Sequence, residues 1–276
     1  MSSTLVAIFS MGFLGAVFAG GLVLASQKFA VDVDPTVDAL ERVLPGINCG
    51  ACGFAGCRSF AEGLAEKKAP PNGCPIGGND VTTKIGGILG MDTGNANNRK
   101  VAQVLCKGGH TEASIRAEYN GPMDCRVANL TQGGDKGCTS GCLGLGTCVE
   151  SCFFEAMAMN DNGLPLIDED MCTACGKCVA VCPRDIIVLA GDEYGVHIRC
   201  RSEALGKEVR KVCTVGCIAC RKCEKECPVD AITVVNNVAA IDYDKCIVCR
   251  KCVSVCPVNT IEAQDGKPIV KQKKVG

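Results

Sequence analysis

The sequence predicts an α+β chain. One transmembrane helix at the N-terminus precedes three small cysteine-bound units, and the last two units are copies of one module. Three observations carry this prediction. Residues 5–25 hold no charged side chain, and the first charge after them is Lys28. Cysteine occurs 24 times in 276 residues, in runs of fixed spacing rather than as scattered singles. The segment 125–182 matches the segment 200–256 at an offset of 75, later 74.

The N-terminal run is long enough to cross a bilayer as a helix. A secretory signal peptide would have a basic start and a shorter apolar core, and residues 1–25 have neither. A buried soluble helix is the other reading of such a run. Gly12, Ala16 and Gly20 recur every four residues, a small-residue face suited to packing on a second membrane helix. Orientation is weakly marked, because Lys28 on the C-terminal flank is soon followed by Asp32 and Asp34.

A short helix follows. Asp34 is its N-cap, Pro35 its first residue, and Val37, Leu40, Val43 and Leu44 its apolar face, with Pro45-Gly46 as its end. Next comes N-C-G-A-C-G-F-A-G-C, then a helical stretch over 58–67, then Pro70-Pro71 and Cys74. Cys49, Cys52, Cys57 and Cys74 thus stand as C-x2-C-x4-C-x16-C. Four thiolates suffice for one [4Fe–4S] cluster, and Gly50, Gly53 and Gly56 keep the loop thin around it. Spacing alone also admits zinc. Residues 79–100 are rich in Gly and Asn and read as a linker with one weakly helical patch near 81–89.

The most specific motif spans 217–256. It reads C-I-A-C-R-K-C-E-K-E-C-P and, after eighteen residues, C-I-V-C-R-K-C-V-S-V-C-P. C-x2-C-x2-C-x3-C-P is the ligand spacing of bacterial two-cluster ferredoxins, in which three thiolates on one tight loop hold one cluster and the fourth reaches the other. Cys217, Cys220, Cys223 and Cys256 are therefore expected on one cluster, and Cys246, Cys249, Cys252 and Cys227 on a second. Pro228 and Pro257 fix φ just after each loop. Zinc sites more often use two C-x2-C pairs or include His. A hairpin should join the two runs, with strands over 232–235 and 238–241 around Asn236-Asn237.

The repeat supplies the second ferredoxin-like module and its one irregularity. Cys172, Cys175, Cys178 and Cys182 match Cys246, Cys249, Cys252 and Cys256, but Leu145 stands where the other copy has Cys220. Cys138 is the obvious substitute. The expected sets are then Cys138, Cys142, Cys148 and Cys182 on one cluster, and Cys172, Cys175, Cys178 and Cys152 on another. Cys106, Cys125, Cys200 and Cys213 remain. They are either a sixth cluster or buried free thiols, and the lack of any C-x2-C spacing among them favours thiols.

Only 11 of 276 residues are aromatic and none is Trp, so the apolar core is modest and bound clusters should supply much of the folding energy. Cysteines arranged as metal ligands in a chain this long point to a reducing compartment rather than to disulfides. The formal charge of −1 becomes more negative once anionic clusters are counted, and no nucleic-acid partner is expected. G-G-I-L-G lacks the strand and helix context of a nucleotide site. His110 and His197, lone among so many cysteines, read as surface or core residues. Residues 199–225 carry eight Arg and Lys, and Lys271, Lys273 and Lys274 follow in the tail. These form either a solvated face or a docking patch for an acidic electron carrier. Lys177, Arg221, Lys222, Arg250 and Lys251 lie inside cluster loops, where positive charge raises the local reduction potential. No residue stands out as a general acid, base or nucleophile.

Together, the membrane helix, N-C-G-A-C-G-F-A-G-C with its distant Cys74, and the two ferredoxin-type modules resemble the B subunit of the Rnf complex over essentially the whole chain. K-G-C-T-S-G-C-L-G-L-G-T-C and V-G-C-I-A-C-R-K-C are similar to the longer form found in anaerobic bacteria. The resemblance implies an electron-relay subunit of a membrane ferredoxin:NAD oxidoreductase that couples electron transfer to Na⁺ or H⁺ translocation. It also implies ligands at Cys49, Cys52, Cys57, Cys74 and the ferredoxin-type cysteines. Its implied partners are soluble ferredoxin and further membrane and peripheral subunits that hold the flavin and NAD chemistry. The expected layout is a transmembrane helix over 1–28, a four-Cys domain over 32–78, a linker over 79–100, modules over 101–190 and 191–265, and a basic tail over 266–276. The helix would cross the cell membrane once, with the cluster domains cytoplasmic. Five [4Fe–4S] clusters are expected, or six if the remaining cysteines join in. The competing assignments are a ferredoxin-like subunit of another membrane oxidoreductase, such as a hydrogenase or dehydrogenase, and an iron–sulfur redox sensor.

Overall fold

A computed structural model describes residues 3–29, 34–91 and 99–264. The first helix, α1 (Ser3–Lys28), contains the apolar window Ile8–Lys28 with mean hydropathy 2.1, none of it buried against protein. That exposure argues against a buried soluble helix, because a bare apolar surface of this length needs lipid or another chain to cover it. By length and composition α1 is able to cross a membrane.

Three helices build the next unit: α2 (Pro35–Val43), α3 (Cys57–Ala65) and α4 (Gly78–Leu89). The Asp34 side chain accepts the Thr36 N–H at 2.8 Å and so caps α2, with Pro35 at the first position. Leu40, Phe60, Leu64 and Ile85 meet in one core, and Phe54 packs edge-on against Phe60 at 5.5 Å. Within the expected linker over 79–100, the helical patch expected near 81–89 is a full helix that belongs to this unit. Val81, Ile85, Ile88 and Leu89 recur at helical spacing, and α4 docks them against this core before ending at Gly90, whose φ is +64°. The apolar period outweighs the glycine content. Residues 92–98 and the expected basic tail over 266–276, with Lys271, Lys273 and Lys274, lie outside the described residues.

The rest of the chain is two modules of the same plan. The first comprises β1 (Lys100–Val104), α5 (Cys125–Leu130), α6 (Thr147–Glu150), β2 (Met157–Met159), β3 (Pro165–Ile167), α7 (Lys177–Val181) and β4 (Ile187–Gly191). The second comprises β5 (Val196–Ile198), α8 (Gly206–Val212), α9 (Lys222–Glu226), β6 (Ile232–Val235), β7 (Val238–Ile241), α10 (Lys251–Ser254) and β8 (Ile261–Ala263). In each, an inner antiparallel hairpin (β2–β3 or β6–β7) joins the halves, and an outer antiparallel pair (β1–β4 or β5–β8) closes the module. The β6–β7 turn places Asn236 and Asn237 at φ +48° and +62°, the left-handed pair that a two-residue hairpin requires.

The module cores are small and end at sulfur. Val196, Ile198, Ile232, Val248 and Ile261 pack with Cys223 and Cys252, while Val104, Met157, Leu164, Ile186 and Ile187 pack with Cys142 and Cys148. Polar contacts join the modules. The Arg199 guanidinium donates to Gln103 Oε1 at 3.0 Å and to the Val104 carbonyl at 2.9 Å, and pairs with Glu262 at 3.0 Å. The Gln103 amide donates in turn to Glu169 at 2.8 Å.

Candidate metal centres

Four loops share one backbone path, set by left-handed residues at repeating positions. In the second module Ala219 and Arg221 have φ of +55° and +58°, then Val248 and Arg250 have +55° and +61°. In the first module the same places are held by Ala174 and Gly176 at +53° and +77°, and by Gly144 and Gly146 at +78° and +77°. A non-glycine residue in this region costs about 1 kcal/mol, so the loops hold strain that a bound group can offset. A further left-handed residue follows three positions after the fourth cysteine of each run: Glu155, Asp185, Asp230 and Asn259. It turns the next amide back onto sulfur. Ala231 N–H donates to Cys227 Sγ at 3.2 Å and Thr260 N–H to Cys256 Sγ at 3.3 Å.

These loops gather cysteines around cavities. Cys217, Cys220, Cys223 and Cys256 line one of about 360 Å³. Cys227, Cys246, Cys249 and Cys252 line one of about 330 Å³, and Cys152, Cys172, Cys175 and Cys178 one of about 350 Å³. In each of these cavities the fourth cysteine comes from the other run of the module. Burial pushes the Cys223 thiol up to about 11, and Cys217, Cys220 and Cys256 beside it push the same way. Cys252 is pushed up to about 12 by burial, then by Cys246, Cys249, Cys223 and Cys227. In the three-helix unit, burial raises Cys74 and the nearby Cys52 and Cys57 add to it. Cys49 lies on the same loop, next to Asn48, whose side-chain oxygen accepts the Cys57 N–H at 2.8 Å.

The first module differs from expectation. The fourth cavity, about 340 Å³, is lined by Cys125, Cys142, Cys148 and Cys182, not by Cys138. Burial pushes Cys148 up to about 12, followed by the effect of Cys142, Cys125, Cys182 and Cys178. Cys125 opens α5, where the Asp124 side chain caps the helix by accepting the Arg126 N–H at 2.7 Å. The Cys125 N–H donates to Thr147 Oγ1 at 2.7 Å, which fixes it beside Cys148. Leu145 packs against Cys125 and Leu143. Cys138 faces elsewhere, and with Cys106, Cys200 and Cys213 it lines a fifth cavity of about 420 Å³. So Cys138 stands apart from Cys142, Cys148 and Cys182, the set expected to include it. Of the four remaining cysteines, expected either as a sixth cluster or as free thiols, Cys106, Cys200 and Cys213 share a cavity with Cys138 while Cys125 does not. The repeat held part of the signal. Leu145 leaves the first module one thiol short, and Cys125 pairs with Cys200 outside the runs, but the Thr147 contact has no trace in spacing.

These sites suit iron–sulfur clusters. All described cysteines are free thiols. Among the described residues no three of His, Cys, Asp and Glu close on one point as a single metal ion requires. The thiols instead stand around cavities whose walls are mainly apolar with a Lys or Arg at each, and several of their sulfurs accept backbone N–H groups, the arrangement that stabilises anionic clusters. The two histidines stand apart from the quartets. His197 is fully buried with Nδ1 2.6 Å from the Tyr243 hydroxyl, and His110 is exposed.

Comparison with known proteins agrees with this layout. Residues 44–76 match the family described as "Putative Fe-S cluster", residues 165–188 a 4Fe-4S binding domain, and residues 216–260 a 4Fe-4S dicluster domain. The chain is 45% identical to the B subunit of the Na(+)-translocating ferredoxin:NAD(+) oxidoreductase complex of Acetobacterium woodii, over 89% of this chain and 73% of that protein. It is 44% identical to the B subunit of the ion-translocating oxidoreductase complex of Methanosarcina acetivorans, over 89% and 93% respectively. It is also 44% identical to the proton-translocating counterpart of Clostridium ljungdahlii, over 88% and 85%. With 4Fe-4S domains on these cysteine loops and relatives of this identity along most of its length, the chain belongs to the family of B subunits of the Rnf ion-translocating oxidoreductase complexes.

Proposed function

We propose that this chain carries single electrons between reduced ferredoxin and the membrane and flavin subunits of its complex, through [4Fe–4S] clusters held by five cysteine quartets. The quartets are Cys49/Cys52/Cys57/Cys74, Cys125/Cys142/Cys148/Cys182, Cys152/Cys172/Cys175/Cys178, Cys217/Cys220/Cys223/Cys256 and Cys227/Cys246/Cys249/Cys252. When bound, the clusters supply reversible one-electron chemistry at potentials that the protein tunes. The chain's own residues do the tuning. Backbone amides at the sulfurs of Cys172, Cys227 and Cys256 stabilise negative charge, and the apolar cavity walls exclude water. Arg221 and Arg250 line two of the cavities and favour the reduced form there.

α1 anchors the chain by a single pass, and the cysteine units lie on the cytoplasmic side, where thiols stay reduced. NAD and flavin chemistry belongs to partner subunits. The observation that carries this reading is the grouping of cysteines four by four around separate cavities. The experiment is iron, acid-labile sulfide and zinc per chain on protein purified without oxygen, followed by anaerobic mixing with reduced ferredoxin. At least about 20 iron per chain and bleaching of the cluster absorbance by ferredoxin are expected. Zinc in place of iron would end the relay reading.

A further inference from the structure

We infer that Cys106, Cys138, Cys200 and Cys213 hold a sixth [4Fe–4S] cluster at the seam between the two modules. The inference rests on the relay reading and extends it, because the site joins the two halves of the wire. Two of the thiols come from the first module and two from the second, on four separate segments, and all four line the cavity of about 420 Å³.

Three further observations point to an anionic ligand there. First, Lys136 lines the same cavity and is 1% exposed. Among the described residues its ammonium has one hydrogen-bond partner, the Gly108 carbonyl at 3.2 Å, and no carboxylate. A buried ammonium without an anion is costly, whereas a cubane bound by four thiolates is a net anion. Second, the backbone is pared to glycine where it passes the sulfurs. A Cβ on Gly108 would lie 2.9 Å from Cys213 Sγ, and one on Gly141 would lie 3.4 Å from Cys138 Sγ and 3.6 Å from Cys106 Sγ. Third, the Cys142 N–H donates to Cys106 Sγ at 3.3 Å, the kind of amide donor found at cluster sulfurs.

The same contacts give the site its place in the route. Cys142 belongs to a quartet of the first module, and its amide touches Cys106. On the other side, the backbone of Cys217, which belongs to a quartet of the second module, lies beside the Cys200 sulfur. A cluster held here would supply a one-electron step between clusters held by the neighbouring quartets, with no bond made or broken in the chain. Lys136, Arg199 and Arg201 all line this cavity, more positive charge than any of the four module cavities carries. The seam site should therefore have the highest potential of the centres in the two modules.

The test uses the full chain in detergent, purified without oxygen. Iron, sulfide and zinc are counted in the natural protein, in Cys200→Ala/Cys213→Ala and in the comparator Cys246→Ala/Cys249→Ala. The expected values are about 24 iron in the natural protein and about 20 in each double variant, with one electron paramagnetic resonance signal lost in the seam variant. Cys106→Ala/Cys138→Ala serves as a second seam variant should the first fold poorly. About 20 iron in the natural protein and no loss in either seam variant, against about 16 in the comparator, would overturn the sixth site and leave the relay standing. One zinc per chain that disappears with the seam cysteines would overturn it too. No iron in the natural protein would sink both readings. Lys136→Met keeps every thiol. Its expected result is unchanged iron with one centre moved to lower potential, and unmoved potentials would count against the assignment.

Discussion

Cys125→Ala tests the largest departure of the structure from the spacing. Only Cys142, Cys148 and Cys182 then remain around their cavity, so up to about four iron per chain should be lost. The rescue is built into the loop. Gly144 and Gly146 hold φ of +78° and +77°, at the positions where the second module has Ala219 and Arg221 at +55° and +58°. Leu145 therefore occupies the place of Cys220 on a backbone already shaped for a ligand. Leu145→Cys writes the full C-x2-C-x2-C-x3-C run into the first module, with the new thiol midway between Cys142 and Cys148 and with Cys152 as the fourth. Removing the half-buried leucine costs on the order of 1 kcal/mol, small against the binding energy of a metal centre. Cys125→Ala/Leu145→Cys is thus expected to regain the lost iron, read by iron and sulfide analysis and by the intensity of the reduced-cluster resonance. Cys138→Ala is expected to lose iron from the proposed seam site instead, and Leu145→Cys is not expected to restore it. The assignment fails if Cys125→Ala keeps all its iron, or if Leu145→Cys rescues Cys138→Ala instead.

Three further outcomes are expected. Phe60→Ala removes a ring that is 1% exposed and packed on Phe54. It should cost about 3–5 kcal/mol, enough to unfold the three-helix unit and release about four iron while the two modules keep theirs, and full retention of iron would refute that core. Arg250 lines the cavity of Cys227, Cys246, Cys249 and Cys252, whereas Lys251 is exposed. Arg250→Gln should lower one midpoint potential more than Lys251→Gln does, and no shift in the double variant would remove the electrostatic role of this loop. His197 is held down to about 4, first by burial and then by Arg199. Its folded pKa lies below the ordinary 6.5, so the unfolded chain binds the proton first and stability falls as pH drops from 6.5 toward 4. Between pH 7 and pH 5 this amounts to about 2 kcal/mol. Guanidinium titrations of His197→Gln should show a correspondingly smaller loss over that interval, and equal losses in both proteins would discard His197 as the source.

What could be read in advance was whatever is local. A C-x2-C-x2-C-x3-C run encodes its own loop, since three ligands lie within seven residues and need nothing from the rest of the chain. The 217–256 region therefore assembles as its spacing says, down to Cys227 and Cys256 crossing to the other cavity. The β6–β7 hairpin was equally local, because Asn236 and Asn237 supply the two left-handed residues its turn requires. α4 is faint in the sequence because six glycines and asparagines between residues 77 and 90 mask an apolar face that only the core of α2 and α3 makes useful. The seam quartet is the opposite case. Cys106, Cys138, Cys200 and Cys213 are separated by 32, 62 and 13 positions, and no periodicity relates them. The repeat places Cys138 opposite Cys213 and Cys125 opposite Cys200, which suggests equivalent tasks. The structure breaks that symmetry at one residue. Leu145 draws Cys125 into the first module, while Cys220 leaves Cys200 free for the seam. One leucine in place of one cysteine thus makes the two copies unequal, and the inequality lets a single quartet bridge them.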